Sequence, residues 1–382
     1  MKTILGLDQI GEYKDLFENK KIGLITNYSG VNSDWENNID LFIREGYQLV
    51  KLYTPEHGLY GAADGQVIEN SVYPKYNIPI VSLYGDKKKP AVGDLEGIDL
   101  LVYDIQDVGL RYYTFIYTMA YCMEAAMENN LPFVVLDRPN PLGGKTVAGV
   151  CIEPKLSSFV GDYELPVRYG MTCGELGYYF KEYKKWDMDY RVIKMKGYTR
   201  DMLYPDTGLI WNVPSPALPG FKNTLCYCGG CFVEATNISE GRGTPKPFQM
   251  YGTPYTDMDE LYDRLKSEIT EKKLAFRKRT FVQFTGKFQG EVCFGVEYEP
   301  LEKDIDFIPV ALQTIKCIRD LNPEKFKYRI QEEENHLDAL IGDASGYQYL
   351  EGKIGLEELL LNWKKQADGF AQRTEKFYLY EA

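Results

Sequence analysis

The sequence predicts an α/β protein, with a doubly wound and mostly parallel sheet domain followed by a smaller α+β domain. In the first half of the chain, short apolar runs alternate with helical patterns, as they do in βαβ units. These runs are apolar on both faces and lie further apart than hairpins allow, which is typical of a buried parallel sheet. The alternation stops at the proline-rich segment 211–220, which cannot form a central strand.

The predicted strands of the first domain are short, β-branched apolar runs that end at polar residues. They are KIGLITN (21–27), YQLVKLYTP (47–55), IPIVSLYG (78–85), DLLVYDIQD (99–107), PFVVLDRPN (132–140) and YRVIKM (190–195). Ligands of parallel α/β sheets bind beyond the carboxyl ends of the strands, so the polar residues that follow these runs are expected to form one cleft.

Three helices are predicted between these strands. Residues 32–34, Asn-Ser-Asp, can cap a helix that runs to about Glu45. Apolar residues at helical spacing predict a second helix over about 115–127. Thr172 and Glu175 have the spacing of a capping box, which predicts a third helix from this point to about residue 184.

We place the domain boundary after the proline-rich segment, so the first domain comprises residues 1–222 and the second residues 223–382. The second part loses the βα rhythm and mixes helical patterns with alternating strands, which predicts a smaller α+β unit. Its predicted elements are a helix near 258–268, strands within 280–299, and helices near 306–320 and 355–373.

The charge and the amino terminus limit the partners and the compartment. Lys and Arg total 44 against 56 Asp and Glu, a net charge of -12, which argues against a nucleic-acid or anionic-membrane surface. The opening MKTILGLDQIGEYKDLF has no apolar core of a signal peptide, and no apolar stretch approaches the roughly 20 residues of a membrane span. Together with eight scattered cysteines, this predicts a cytoplasmic protein, or an extracytoplasmic one if a leader has been removed.

No cofactor and no metal are predicted. The first strand-to-helix turn, TNYSGVNSDW, has only Gly30 in place of the glycine-rich dinucleotide loop, and GGKT (143–146) lacks the first glycine of a Walker loop. His57 and His336 are the two histidines of the chain, too few for a multi-histidine zinc site. The cysteine cluster CYCGGC (226–231) has no fourth ligand nearby in sequence, so buried thiols are the favoured interpretation.

Polar clusters follow three of the predicted strands. They are Glu56 and His57 in YTPEHGLYG, Asp104, Gln106, Asp107 and Arg111 in YDIQDVGLRYYTF, and Asp137, Arg138 and Asn140 in DRPNP. Glu56 can give or take a proton if its surroundings tune it, and His57 can orient that carboxylate or contact a substrate. The alternative is a polar turn in which both side chains stabilise the loop.

The second domain opens with FVEATNISEGRGTPKPF (232–248), a glycine-rich loop with an arginine. Gly241 and Gly243 let the backbone approach a ligand closely, and Arg242 between them can bind a carboxylate through two nitrogens. Further hydrogen-bonding groups are supplied by Asn237, Glu240 and Thr244. The alternative is a glycine turn with a surface ion pair.

Six motifs in this order, PEHG, YDIQDVGLRYYTF, DRPNP, VRYGMTCGELGYYF, WNVPSP and EATNISEGRGT, resemble the NamZ family of bacterial exo-acting β-N-acetylmuramidases. The resemblance runs from about Gly6 to the closing FYLYEA. It implies a Rossmann-like amino-terminal domain, a smaller carboxyl-terminal domain and a cleft between them. It also implies release of terminal N-acetylmuramic acid from peptidoglycan fragments, in cell-wall turnover or recycling.

The resemblance makes Glu56 the leading catalytic residue, with His57 beside it. The candidate substrate-binding residues are Asp107, Arg111, Tyr112, Arg138, Asn140, Tyr169, Asn237, Glu240, Arg242 and Thr244. Local arginines are expected because N-acetylmuramic acid carries a carboxylate and the protein is acidic. The family commonly has histidine where this chain has Tyr169. If that histidine contacts the substrate, Tyr169 must replace it in this chain, and the sugar preference can then differ.

Three questions stay open at this point. The second catalytic group is a protein carboxylate or the N-acetyl group of the substrate, and the stereochemical outcome follows from that choice. A non-catalytic muropeptide-binding protein and a hydrolase for a different amino sugar are the alternative functions. The oligomeric state is not predicted.

Overall fold

A computed structural model of the chain describes residues 2–61, 69–331 and 334–382. The strands are β1 Lys21–Thr26, β2 Gln48–Thr54, β3 Ser71–Tyr73, β4 Ile78–Ser82, β5 Leu100–Asp104, β6 Phe133–Leu136, β7 Ala148–Cys151, β8 Pro166–Arg168, β9 Tyr190–Ile193, β10 Met250–Thr253, β11 Leu274–Val282, β12 Val292–Pro300, β13 Ile330–Gln331 and β14 Glu334–Asn335. The α-helices are α1 Lys14–Phe17, α2 Asn38–Arg44, α3 Phe115–Glu128, α4 Cys173–Tyr183, α5 Phe221–Gly230, α6 Met258–Glu268, α7 Ile308–Leu321, α8 His336–Ile341, α9 Ser345–Leu350 and α10 Leu356–Thr374.

The first half forms a seven-stranded sheet of order β3-β4-β2-β1-β5-β6-β9. Six of its strands are parallel, and only β3 runs antiparallel, against β4. β5 and β6 are buried along their whole length, as their apolar sequences predict. The predicted doubly wound α/β fold is therefore confirmed, and the carboxyl ends of β2, β1, β5 and β6 share one edge.

The three predicted helices of the first half are confirmed except at one start, and the short α1 was not predicted. The capping box of α4 forms as predicted: the Thr172 side chain accepts from the Glu175 amide, and the Glu175 carboxylate accepts from the Thr172 amide. The prediction for α2 was wrong at its start, because Asn37 caps this helix by accepting from the Ile39 amide. Asn32 instead closes a tight loop ahead of the helix.

The second half contains a three-stranded antiparallel sheet of order β10-β12-β11, with helices packed against it. α6, α7 and α10 occur where the sequence predicts them. α5 was not predicted. It carries Cys226 and Cys228, with Cys231 directly after it, and it packs against α7; all three thiols are buried. Gly229 permits this close packing, since a Cβ there would lie 2.6 Å from the Phe307 carbonyl oxygen.

The largest hydrophobic cluster is continuous through both halves of the chain. It includes Tyr53 and Tyr103 from the parallel sheet together with Phe232, Tyr251 and Phe307 from the second half. The predicted boundary between residues 222 and 223 falls in the first turn of α5 and stays a prediction. Within the described ranges, no helix is both long and apolar enough to cross a membrane.

Candidate active site

Glu56 lies in a tight turn at the carboxyl end of β2. The Gly58 amide donates to the Pro55 carbonyl, and His57 and Gly58 both adopt left-handed backbone angles, with φ of 70° and 66°. This turn, with Glu56 and His57 as its central residues, reverses the chain as it leaves the sheet. The Glu56 carboxylate reaches Thr114 at the amino end of α3, whose hydroxyl donates to Glu56 Oε2 at 2.8 Å.

Glu56 opens into a small pocket of about 70 Å³ that four separate parts of the chain build together. The pocket is lined by Glu56, His57, Tyr112, Tyr113, Thr114, Ser215, Ala217, Leu218, Tyr227, Arg242 and Phe248. Paired aromatic rings form much of the wall: Tyr227 and Phe248 lie 4.6 Å apart between centroids. A carboxylate, a guanidinium and aromatic faces in one concave site suit a ring-shaped polar substrate.

His57 is held by packing as well as by the turn. Only 6% of the residue is exposed, and its ring meets the edge of Phe115 at 6.3 Å between centroids. The imidazole therefore lines the pocket in a fixed position next to Glu56. The position beside Glu56 agrees with the sequence, and the catalytic role of His57 stays a prediction.

Arg242 enters the same pocket from the second half of the chain, on a loop in which Gly241 and Gly243 both have φ of 76°. Its Nη2 lies 2.8 Å from Glu234 Oε1 and its Nε 3.6 Å from Glu240 Oε1. These carboxylates fix the guanidinium, which also lies 5.1 Å from the centroid of the Phe248 ring.

Two other predicted residues of this loop act within it. Glu240 accepts from Lys287 Nζ at 2.9 Å in addition to its contact with Arg242, so it positions the arginine. Thr244 donates to the Gly241 carbonyl and stabilises the turn. Asn237 lies outside the pocket lining, where its amide pairs with Lys325 and Lys327 backbone atoms.

Arg111 does not lie in the pocket, which corrects the prediction made for it. Its guanidinium is fully buried and donates to four backbone carbonyls, those of Val150, Leu165, Leu340 and Ile341. Nη1 and Nη2 of Arg111 therefore donate to protein carbonyls and not to a substrate.

Arg138 and Asn140 also serve the protein itself. Arg138 makes a buried two-point contact with Asp104, at 2.6 and 2.9 Å, and donates to the Val31 carbonyl. The Asn140 side chain donates to the Met171 carbonyl and accepts from the Leu142 amide. Both residues shape the sheet edge and are absent from the lining of the Glu56 pocket.

Asp107 and Tyr169 form a buried pair, and neither residue lines the Glu56 pocket. The Tyr169 hydroxyl donates to Asp107 Oδ2, which also accepts from the Gly109 amide at 2.7 Å. Burial raises the pKa of Asp107 to about 6, although both hydrogen bonds act to lower it. Tyr169 has no exposed surface, so its predicted contact with substrate is replaced by a contact with Asp107.

Tyr112 lines the pocket with its ring, while its hydroxyl is held by the backbone carbonyls of Tyr227 and Cys228. The sequence prediction missed several lining residues, namely Tyr113, Thr114, Ser215, Ala217, Leu218, Tyr227 and Phe248. A signal existed for two of them, since Tyr113 and Thr114 directly follow Tyr112 in the YYTF motif. Within the described residues, no group of three or more His, Cys, Asp or Glu side chains is arranged to hold a metal ion.

Fold and pocket together define a two-part α/β protein with a carboxylate-containing pocket at the carboxyl edge of its parallel sheet. Residues 22–222 match the amino-terminal part, and residues 225–380 the carboxyl-terminal part, of the exo-β-N-acetylmuramidase NamZ family. The chain therefore belongs to the NamZ family.

Individual relatives cover nearly the whole chain. The peptidoglycan β-N-acetylmuramidase NamZ of Bacillus subtilis is 39% identical over 99% of this chain and 92% of its own length. Two crystal structures of DUF1343 family proteins from Bacteroides fragilis resemble the whole chain. Their TM-scores are 0.91 and 0.79, at 31% and 27% identity, and each match covers 100% of this chain and 99% of the other.

Proposed function

We propose that this protein removes N-acetylmuramic acid from the end of peptidoglycan fragments, with Glu56 as the general acid and base. The observation that supports this most directly is the Glu56 carboxylate, held by Thr114 inside a pocket that also contains His57 and Arg242. The relative in Bacillus subtilis bears the name of this activity. A small pocket suits a single terminal sugar, whereas an open groove suits the interior of a long chain.

In the proposed reaction Glu56 gives one proton to the leaving group and takes another from water. Protonated Glu56 donates its proton to the glycosidic oxygen as the bond from that oxygen to C1 breaks. The resulting carboxylate then takes a proton from the water whose oxygen bonds to C1. Among the described lining residues Glu56 is the one carboxylate, which favours the substrate N-acetyl group as the nucleophile. Its carbonyl oxygen bonds to C1 as the leaving oxygen departs, and the water oxygen then displaces it from C1.

Arg242 is the proposed partner of the lactyl carboxylate that distinguishes muramic acid from glucosamine. The guanidinium already lies between two carboxylates, which hold it rigidly at the rim of the pocket. A planar guanidinium fits a carboxylate through two nitrogens, so it can discriminate the acidic sugar from its neutral analogue.

The test is Glu56→Gln assayed on the disaccharide of N-acetylmuramic acid linked β-1,4 to N-acetylglucosamine. We expect kcat to fall about 10³-fold, since the amide cannot donate the proton that a sugar leaving group needs. Glu182→Gln is the matched control, because Glu182 pairs with Lys376 at the surface and does not line the pocket. Near-normal turnover by a folded Glu56→Gln protein would remove Glu56 from the mechanism.

A panel of aryl glycosides separates the remaining functions. Release of the aryl group from the muramic acid glycoside alone supports the proposal. Release from the glucosamine glycoside alone indicates a hydrolase for another amino sugar. Binding of the muramic acid glycoside without release indicates a muropeptide-binding protein.

We also propose that the protein works in the cytoplasm, on fragments taken up during cell-wall recycling. All eight cysteines are free thiols in the structure, and Cys226, Cys228 and Cys231 stay unpaired although they are close in sequence. Unpaired thiols are usual in reducing compartments. The measurement is fractionation of the native host: recovery of the protein with the periplasmic or secreted fraction would contradict the proposal.

A further inference from the structure

A second pocket, of about 240 Å³, lies between the two halves of the chain. From the first half it is lined by the connection between β6 and β7, by Arg168 at the end of β8 and by the turn 200–203. From the second half it is lined by Cys228 of α5 and by residues 304–306, which precede α7. None of these described residues lines the Glu56 pocket, so this Arg168 pocket is a separate site.

The Arg168 pocket has room for a small molecule. Its volume equals that of about eight waters, since one water takes up about 30 Å³ in the liquid, and a molecule of about ten non-hydrogen atoms fits such a space. Buried Leu142, Leu203 and Ile305 form an apolar wall. The lining also includes the exposed residues Lys145 and Asp201, so the pocket opens to solvent.

Arg168 is buried with few partners. Of the other buried arginines, Arg138 and Arg200 each pair with a carboxylate, and Arg111 donates to four backbone carbonyls. Within the described part of the chain, Arg168 makes one hydrogen bond, from Nη2 to the Leu142 carbonyl, and no ion pair, and its Nε has no partner. Only 7% of the residue is exposed. A buried guanidinium without a counter-ion loses hydration that nothing replaces, so the pocket favours an anionic ligand group.

Asp306 adds a negative charge to the same pocket. Its side chain is exposed, its Oδ1 accepts from the Ile308 amide at 3.1 Å, and it forms no ion pair with a described residue. Asp304, by contrast, pairs with Lys273 at 2.7 Å. Burial lowers the pKa of Arg168, and the charges of Asp306 and Asp304 act to raise it. The guanidinium and the Asp306 carboxylate are therefore within electrostatic range of each other but not in contact.

We propose that the Arg168 pocket binds a free α-amino acid as its zwitterion, with the carboxylate on Arg168 and the ammonium group on Asp306. An α-amino acid carries both charges on one carbon, so it can bridge two side chains that do not reach each other. A guanidinium binds a carboxylate through two nitrogens, and an ammonium group has three hydrogens to donate to a carboxylate. Because Arg168 belongs to the first half of the chain and Asp306 to the second, the bound amino acid joins the two halves.

The test is isothermal titration of L-alanine, L-glutamate and L-lysine into the whole chain at pH 7. These probes share the α-amino and α-carboxyl groups and differ in side chain. We expect at least one of them to bind with 1:1 stoichiometry and a Kd below about 1 mM. Failure of all three to bind at concentrations up to about 10 mM overturns the proposal.

Derivatives of the amino acid that binds test the two charges separately. N-acetylation removes the ammonium charge, and amidation removes the carboxylate charge. Each change is expected to weaken binding at least about tenfold, because each removes one charge-assisted contact. An N-acetyl form that binds as tightly as the parent would show a simple anion site and overturn the proposal, as would an amide that binds as tightly as the parent.

Asp306→Asn tests the location of the site. The amide oxygen of the variant can still accept from the Ile308 amide, so the local fold is kept while the charge is lost, and we expect binding at least about tenfold weaker. Asp187→Asn, which changes an exposed aspartate outside the pocket, is the matched control and leaves the Kd unchanged. Unaltered affinity in folded Asp306→Asn protein would contradict the proposal.

Titration of Glu56→Gln protein separates this inference from the proposed function. The two pockets share no lining residue among those described, so the Kd for the amino acid should equal that of wild type whether or not Glu56 proves catalytic. Loss of amino acid binding in this variant would place the ligand in the Glu56 pocket and overturn the inference.

Discussion

Near the site, burial in the fold disfavours the ionised form of Asp107. One oxygen accepts hydrogen bonds from Tyr169 and Gly109, while the other, Oδ1, is buried without a partner. A carboxylate in that position is penalised by the lost hydration of its second oxygen. The sequence places Asp107 in a motif with Arg111, but the two side chains serve different purposes in the structure.

The raised pKa of Asp107 makes stability fall with pH. Its pKa is about 6 in the folded protein, raised by burial from 3.8, so the native state holds more protons between these values. The free energy of unfolding therefore decreases from about pH 4 to pH 6 and is level above that range. The Asp107→Asn side chain does not ionise, and its amide oxygen can keep both hydrogen bonds. We therefore expect the free energy of unfolding of the variant, relative to wild type, to rise by about 3 kcal/mol between pH 4 and pH 6.

Urea unfolding of both proteins at several pH values between 4 and 7 measures this difference. Asp137, whose pKa burial also raises to about 6, contributes equally to both proteins and cancels in the comparison. Parallel pH dependence of the two proteins would show that Asp107 ionises without penalty.

At the scale of elements, local patterns determine what the sequence can predict. The capping box of α4 and the spacing of α3 depend on residues within one helix, and both predictions are confirmed. The start of α2 was wrong because residues 32–34 and Asn37 are equally good caps by residue type. The choice depends on Asn32, which folds the intervening loop and leaves the cap to Asn37.

The site shows the same division between local and distant information. The family resemblance makes both Glu56 and Tyr112 candidate site residues, and both line one pocket. Whether an arginine faces a ligand or backbone carbonyls depends on partners far along the chain. Arg111 contacts Leu340, 229 residues away, and no pattern around Arg111 reports that contact.

The closing residues also act on distant elements. The Leu379 amide donates to the Glu175 carboxylate that caps α4, and the Tyr380 hydroxyl donates to Asp137 at the end of β6. Arg200 pairs with Glu175 through two contacts of 2.8 Å and stacks on the Tyr378 ring. The carboxyl terminus thereby supports the sheet edge on which the candidate site is built.

At the scale of the whole molecule, the pocket requires the two halves to stay together, because Glu56 comes from one and Arg242 from the other. Arg111 is a buried link between them, with acceptors in the β7–β8 region and in α8. Space around it is limited: a Cβ at Gly342 would lie 2.7 Å from Arg111 Nη1.

Arg111→Met distinguishes this structural role from substrate binding. The thioether fills much of the space but leaves four buried carbonyls without their donor, so we expect a loss of about 3 kcal/mol in the free energy of unfolding. Arg44→Met, which removes an exposed arginine paired with Glu36, is the control and should cost less than about 1 kcal/mol. Calorimetry measures stability, and assays below the melting temperature should give a KM close to wild type. A stable Arg111→Met protein with a raised KM would return Arg111 to the substrate, because only a residue that contacts the ligand loses affinity without losing stability.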